Sequence, residues 1–211
     1  MIRHHARHLA VSLLTTVTLA LAGCSGVSDP TKYYVLSPVP SAPHDAAPAA
    51  VSSAGVGVGP VSVPGYLARL QIVTRGASDE VEIAMYHRWA EPLESGIAQV
   101  LAANLATQIG SERVAVFPWR GVAARALDYQ VAIMVLRFDG SPGRQATLDA
   151  RWRIIGRDGR ELALKRSTLS EPITGEGYQP LVVGMNRLLA TLAQEIATEI
   201  RSRADARVGG S

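Results

Sequence analysis

The chain holds one thiol, Cys24, and its surroundings suit covalent attachment better than turnover. It closes the tetrapeptide Leu21-Ala22-Gly23-Cys24, in which small residues precede the sulfur and leave it accessible. Past residue 23 only two histidines remain, His44 and His87, so the commonest general bases are nearly absent. Neither G-x-S-x-G nor H-E-x-x-H occurs, no Walker-type lysine loop is present, and no acidic pair has a recognisable metal-ligand spacing. Gly55-x-Gly57-x-Gly59 runs into Pro60 and strand-like sequence where a phosphate loop needs a helix N-terminus. The carboxylates Asp139, Asp149 and Asp158 fall where turns and solvent faces are expected. Trp89 is a candidate partner contact, with a core role as the alternative. The expectation is a protein without catalytic residues, cofactor or metal, and His87 is the one histidine worth testing against it.

The segments ahead of Cys24 have the order of a secretory signal. Arg3 and Arg7 supply the only formal charges, and the apolar run Leu9 to Ala22 is 14 residues long. A spanning helix needs ~20 residues, so an anchor that crosses the bilayer is the poorer reading. With the cysteine directly after the small residues, the stretch resembles the lipobox of bacterial lipoproteins. That resemblance implies removal of residues 1–23 and acylation of Cys24, giving a protein moored to a membrane without spanning it. Retention at the inner membrane usually goes with Asp after the lipidated Cys; here Ser25 follows, which implies the outer membrane, facing the periplasm.

Residues 1–23 carry two of the 21 basic side chains and none of the 18 acidic ones, leaving 19 against 18. So even a charge balance lacks the clustered basic excess that nucleic-acid phosphates demand. With the single thiol acylated, neither a disulfide nor a cysteine metal site is open to the chain. Stability must come from an ordinary core, and roughly 150 residues from Val56 to Ala204 suffice for one.

The elements follow from periodicity and punctuation. Residues 24–32 form a lipidated tether leading to a brief strand at Tyr33-Tyr34-Val35-Leu36. Residues 38–54, rich in Pro, Ala and Ser, read as a mobile loop. Strands are predicted at Val56 to Val63, interrupted at Pro60, at Gln71 to Thr74 and at Glu80 to Met85, the last two joined by a turn at Gly76-Ala77-Ser78-Asp79. A helix starts at Glu91-Pro92, with proline at its first position, and carries Leu93, Ile97, Val100, Leu101, Leu105 and Ile109 on one stripe up to Gly110. Further strands are expected at Val114 to Phe117, Tyr129 to Phe138, Ala146 to Ile155 and Glu161 to Leu169. Asp158-Gly159 marks the hairpin between the last two. A second long helix from Tyr178 to Arg203 stripes Leu181, Met185, Leu188, Leu189, Leu192, Ile196 and Ile200, and 205–211 is left as a flexible tail. Each helix has one apolar face to cover, and the strands supply the surface. The fold class is therefore α+β: a single domain, 33–204, with a mixed, mostly antiparallel sheet and two long helices packed on one face.

Several blocks in order carry a family resemblance. Pro64-Gly65-Tyr66-Leu67-Ala68-Arg69, Gln71-Ile72-Val73-Thr74-Arg75 and Arg88-Trp89-Ala90-Glu91-Pro92-Leu93 resemble the PqiC (YmbA) lipoproteins, also called ABC-type transport auxiliary lipoproteins. So does Gly177-Tyr178-x-x-Leu181-Val182 leading into Leu192-Ala193-x-x-Ile196-Ala197. The similarity runs from Tyr33 to about Ile200. It implies an outer-membrane component of intermembrane lipid transport, working with a PqiB-like MCE protein and, through it, a PqiA-like or MCE ABC transporter component of the inner membrane. It also implies a homo-oligomeric ring. A stand-alone binding or assembly lipoprotein is the alternative role.

Overall fold

A computed structural model of the chain describes residues 30–40, 53–76 and 79–208, of which 207 and 208 are described by backbone alone. Among these residues the elements run β1 (Lys32–Tyr34), β2 (Val56–Ser62), β3 (Gln71–Arg75), β4 (Val81–Trp89), α1 (Leu93–Ile109), β5 (Val114–Val116), α2 (Gly121–Arg125), β6 (Tyr129–Ser141), β7 (Gln145–Gly156), β8 (Glu161–Pro172) and α3 (Tyr178–Val208). The strands form one eight-stranded sheet, and a compact unit begins at Thr31.

The long antiparallel meander β6–β7–β8 is the spine of the sheet. On its other edge β6 takes β2, parallel, along its first half and touches β3, also parallel, at Gly140. Beyond β3 lie β4, antiparallel, and then β1, which runs parallel to β4; β5 borders β2. The predicted architecture holds: the sheet is mixed and, by length of ladder, mostly antiparallel, with both long helices packed on it and against each other.

Alternation explains why β6 and β7 sit as they do. Val131, Ile133 and Val135 of β6, and Leu148, Ala150, Trp152 and Ile154 of β7, turn inward and are buried. Every residue of the two predicted helical stripes is buried as well, which makes the paired helices the cover of one core on the sheet. Each such side chain contributes about 1.5–3 kcal/mol through its removal from water.

Several boundaries differ from expectation, each for a local reason. Pro92 takes the position before the first helical residue instead of the first helical position; its carbonyl accepts from the N–H groups of Ser95 and Gly96 at 3.0 and 3.2 Å. At the other end Gly110, with φ 64°, lets its N–H and that of Ser111 return to the carbonyls of the last turn. α3 runs past Arg203 to Val208, because Ala204 and Ala206 favour the helix and nothing breaks it before Gly209. β6 and β8 outrun their predicted ends, and β6 does so through Asp139-Gly140-Ser141, a polar triplet that reads as a turn. The short α2 buries none of its residues and left no periodic signal. Residues 41–52 of the Pro/Ala/Ser-rich segment, 77–78 of the β3–β4 turn, and 209–211 lie outside the described residues. Ala54, the last residue of that segment, is buried.

Candidate functional site

Two features depart from what packing alone requires: the edge where the tether meets the sheet, and a buried carboxylate at the end of β6. At the first, Lys32, Tyr33 and Tyr34 pair with His87, Arg88 and Trp89, and the Ala90 N–H donates to the Tyr34 carbonyl at 2.8 Å. The Tyr34 hydroxyl lies 2.7 Å from Nδ1 of His87, whose ring stacks on Tyr178 with centroids 3.9 Å apart. Burial, then the neighbouring Tyr178, holds the Tyr34 hydroxyl above its ordinary pKa. Burial, then Glu82, does the same for Tyr178. Both phenols thus stay protonated at neutral pH. Leu36 is buried, and the Ser37 N–H donates to Oδ1 of Asn186 at 3.1 Å. A three-residue edge strand is a weak element alone, and here side chains from β4 and α3 fasten it. Around it Tyr33, Val35, Ile83, Met85 and Tyr86 are exposed, an apolar fringe on the same edge.

Trp89, in contrast, is a core residue: it is 4% exposed and packs within the apolar core. Its ring has almost no solvent-facing area to offer a partner. His87 is half-buried in the aromatic stack just described. Cys24 and His44 lie outside the described residues.

The second feature overturns an expectation. Asp139, expected on a turn or solvent face, is fully buried. Its Oδ1 accepts from Nε of Arg137 at 2.7 Å, and its Oδ2 from Nε of Arg75 at 3.2 Å and from the Tyr66 hydroxyl at 2.9 Å. Burial, then the Asp139 charge, raises the Tyr66 pKa and keeps that hydroxyl a donor. The cluster ties together the β2–β3 connection, β3 and β6. Sequence reading missed it because the bulge between Val135 and Arg137 turns Phe138 and Gly140 to the helices and leaves Asp139 with Arg137 on the opposite face, where Tyr66 and Arg75 close over it. The signal available was Tyr66 and Arg75 within the quoted family blocks. The other two carboxylates stay peripheral: Asp149 accepts two hydrogen bonds from Arg166, and Asp158 caps its own hairpin turn.

Among the described residues no group of three His, Cys, Asp or Glu side chains is arranged to hold a metal ion. No described helix is long and apolar enough to cross a membrane. A third ion cluster is structural: Glu199 of α3 accepts from Lys165 of β8 and from Arg203, each at 2.6 Å. The Lys165 hydrogen bond, with that of Arg203, holds the Glu199 carboxyl below its ordinary value against the opposing effect of burial. The hydrogen bond from Arg166 likewise lowers Asp149. A carboxylate lowered by folding contributes stability that is complete above its unfolded value and lost as pH falls through the folded one. Thermal stability is therefore expected to be nearly constant from pH 7 to pH 5 and to fall below about pH 4. In Glu199→Gln the acid loss should be shallower, and an identical profile would remove Glu199 from the account.

The comparisons with known proteins fit these elements. A family model described as the ABC-type transport auxiliary lipoprotein component matches residues 34–197, from the tyrosine that fastens β1 to Ala197 of α3. The chain belongs to this family. As an ABC-type transport auxiliary lipoprotein, it is 30% identical over 190 residues to the intermembrane transport lipoprotein PqiC of Escherichia coli strain K12. The alignment covers 90% of this chain and 96% of that one. The PqiC of Shigella flexneri gives the same figures. Two crystal structures share the fold. One, of an uncharacterized protein, has a TM-score of 0.66 at 22% identity and covers 82% of this chain and 99% of its own. The other, from Xanthomonas campestris, has a TM-score of 0.63 at 19% identity, with coverages of 84% and 99%.

Proposed function

We propose that the chain is a non-enzymatic subunit of an MCE-type, Pqi-like intermembrane lipid transport system. Acylated at Cys24, it sits on the periplasmic face of the outer membrane and docks the distal end of a PqiB-like MCE tunnel there. A PqiA-like or ABC transporter component completes the path at the inner membrane. Several copies form a ring around the tunnel mouth, and no cofactor beyond the covalent lipid takes part.

The observation that carries this reading is the family match across nearly the whole folded domain, together with identity to PqiC over 90% of the chain. The tether edge supports it. Seven residues separate Cys24 from Lys32, and fully extended this stretch spans about 30 Å, so a lipid at Cys24 keeps the folded domain near the bilayer. The fastened β1 makes that bound meaningful, because slack cannot be gained by peeling the strand away. The deciding experiment is affinity purification of the tagged full chain from detergent-solubilised envelopes. An MCE protein is expected in the same complex, at a ratio consistent with a ring. Recovery of a stable one-to-one partner with no MCE protein would instead assign a stand-alone assembly role.

A further inference from the structure

The end of the sheet that carries Asp139 opens into a cleft of ≈ 580 Å³ between the β3–β4 and β6–β7 turns. Arg75, Arg137 and Arg144 line it, with the polar side chains of Ser141, Gln145 and Thr147 beside them. The carboxylates at hand are Asp139, beneath the two inner arginines, and Asp79 at the rim. Three guanidinium groups face two carboxylates, which leaves one positive charge unmatched.

The hydrogen bonding shows where that charge is available. Asp139 engages Arg75 and Arg137 through their Nε atoms, and Ser141 Oγ donates to the Arg75 carbonyl. Of the terminal nitrogens, Nη1 of Arg75 donates to the Asp79 carbonyl. Among the described residues, the Nη groups of Arg137 and the whole Arg144 guanidinium have no protein acceptor. A buried carboxylate thus holds two guanidinium planes in place, and the outer edge of Arg137 stays unsatisfied. A fixed guanidinium fork is suited to a planar or tetrahedral oxyanion, because little freedom remains to be lost when it binds.

The geometry points to a phosphate-binding cleft, in which Arg137 and Arg144, braced by Arg75 and Asp139, take the phosphate oxygens of a phospholipid headgroup or of free phosphate. The lipid source rests on the transport function proposed above; the oxyanion chemistry does not.

The test uses the full lipidated chain in a non-ionic detergent, titrated calorimetrically with inorganic phosphate and, separately, with dihexanoyl phosphatidylglycerol below its micelle concentration. At least one is expected to bind, and Arg144→Gln is expected to weaken it by about tenfold, the worth of one charge-assisted hydrogen bond. Arg137→Gln should do the same while leaving Asp139 paired with Arg75. Arg160→Gln, in the hairpin turn after β7, should leave binding unchanged. Binding of the lipid alone assigns a headgroup, binding of phosphate alone assigns the free anion, and mutual competition assigns one oxyanion site for both. No binding of either probe, or wild-type binding by a folded Arg144→Gln, overturns the cleft. Co-purification with an MCE protein should persist in Arg144→Gln. Its absence already in the wild-type chain would count against the transport function and leave the phosphate result standing.

Discussion

Asp139→Ala is expected to destabilise the fold by about 3 kcal/mol, because it removes the fully buried acceptor shared by Tyr66, Arg75 and Arg137 and leaves the largely covered Arg75 guanidinium without its carboxylate. Domains of this kind are stable by only about 5–15 kcal/mol, so a single carboxylate accounts for a large share. The asymmetry of the cluster makes the prediction sharp. With two arginines on one fully buried aspartate, loss of Arg137 still leaves a matched Arg75–Asp139 pair, whereas loss of Asp139 leaves none. Arg137→Gln should therefore cost far less than Asp139→Ala. Asp149→Ala provides the surface reference: its Arg166 partner is exposed, so water screens the pair and its loss should cost far less than that of Asp139. Urea unfolding of the three variants beside the wild type ranks them. Should Asp139→Ala unfold at the same urea concentration as Asp149→Ala, the buried cluster is not what holds β3 to β6.

That aspartate also marks where sequence reading stops. The two helices were legible because a 3.6-residue stripe such as Leu181, Met185, Leu188, Leu192 and Ile196 has one physical use, and all of these residues are buried. The β7–β8 hairpin was legible because Asp158-Gly159 supplies a residue, Gly159 at φ 78°, that tolerates the turn. Asp139 was not, because the bulge before it turns Phe138 to the helices and leaves Asp139 on the other face of β6, where its burial comes from Tyr66 and Arg75, 73 and 64 residues away along the chain. Trp89 shows the complementary limit: an aromatic just before a helix suits an interface or a core equally, and only the packing of β1 and α1 around it decides. The partners of β6 were beyond reach for another reason. Parallel contacts with β2 and β3 join segments more than 60 residues apart, and no local pattern encodes them. The aromatic stack of Tyr34, His87 and Tyr178 is of the same kind, assembled from a strand, its neighbour and a distant helix.

Cys24→Ala, secreted behind a signal whose cleavage does not need the thiol, should have the largest effect on what the protein does while leaving the fold unaltered. Intact-mass measurement is expected to find the acyl mass missing, and density-gradient separation should no longer place the chain with the outer membrane. Circular dichroism should be unchanged, since β1 is held by the Tyr34–His87–Tyr178 contacts and Leu36, none of which involves the tether. The size of the loss follows from how acyl chains work. One chain binds a bilayer reversibly, two or three hold it for practical purposes, and losing them all removes ~0.8 kcal/mol for every buried methylene. Docking should fall with anchoring even though no docking contact is altered. A tether of about 30 Å confines the domain to a thin layer above the membrane, equivalent to a local concentration of about millimolar, and release lets it dilute through the whole compartment. Overexpression of Cys24→Ala should accordingly restore part of the MCE association, whereas a defect in the docking surface would not respond to dose. An unmodified thiol on wild-type protein recovered from the outer membrane would refute the covalent mooring and leave the folded domain to find its membrane by contacts alone.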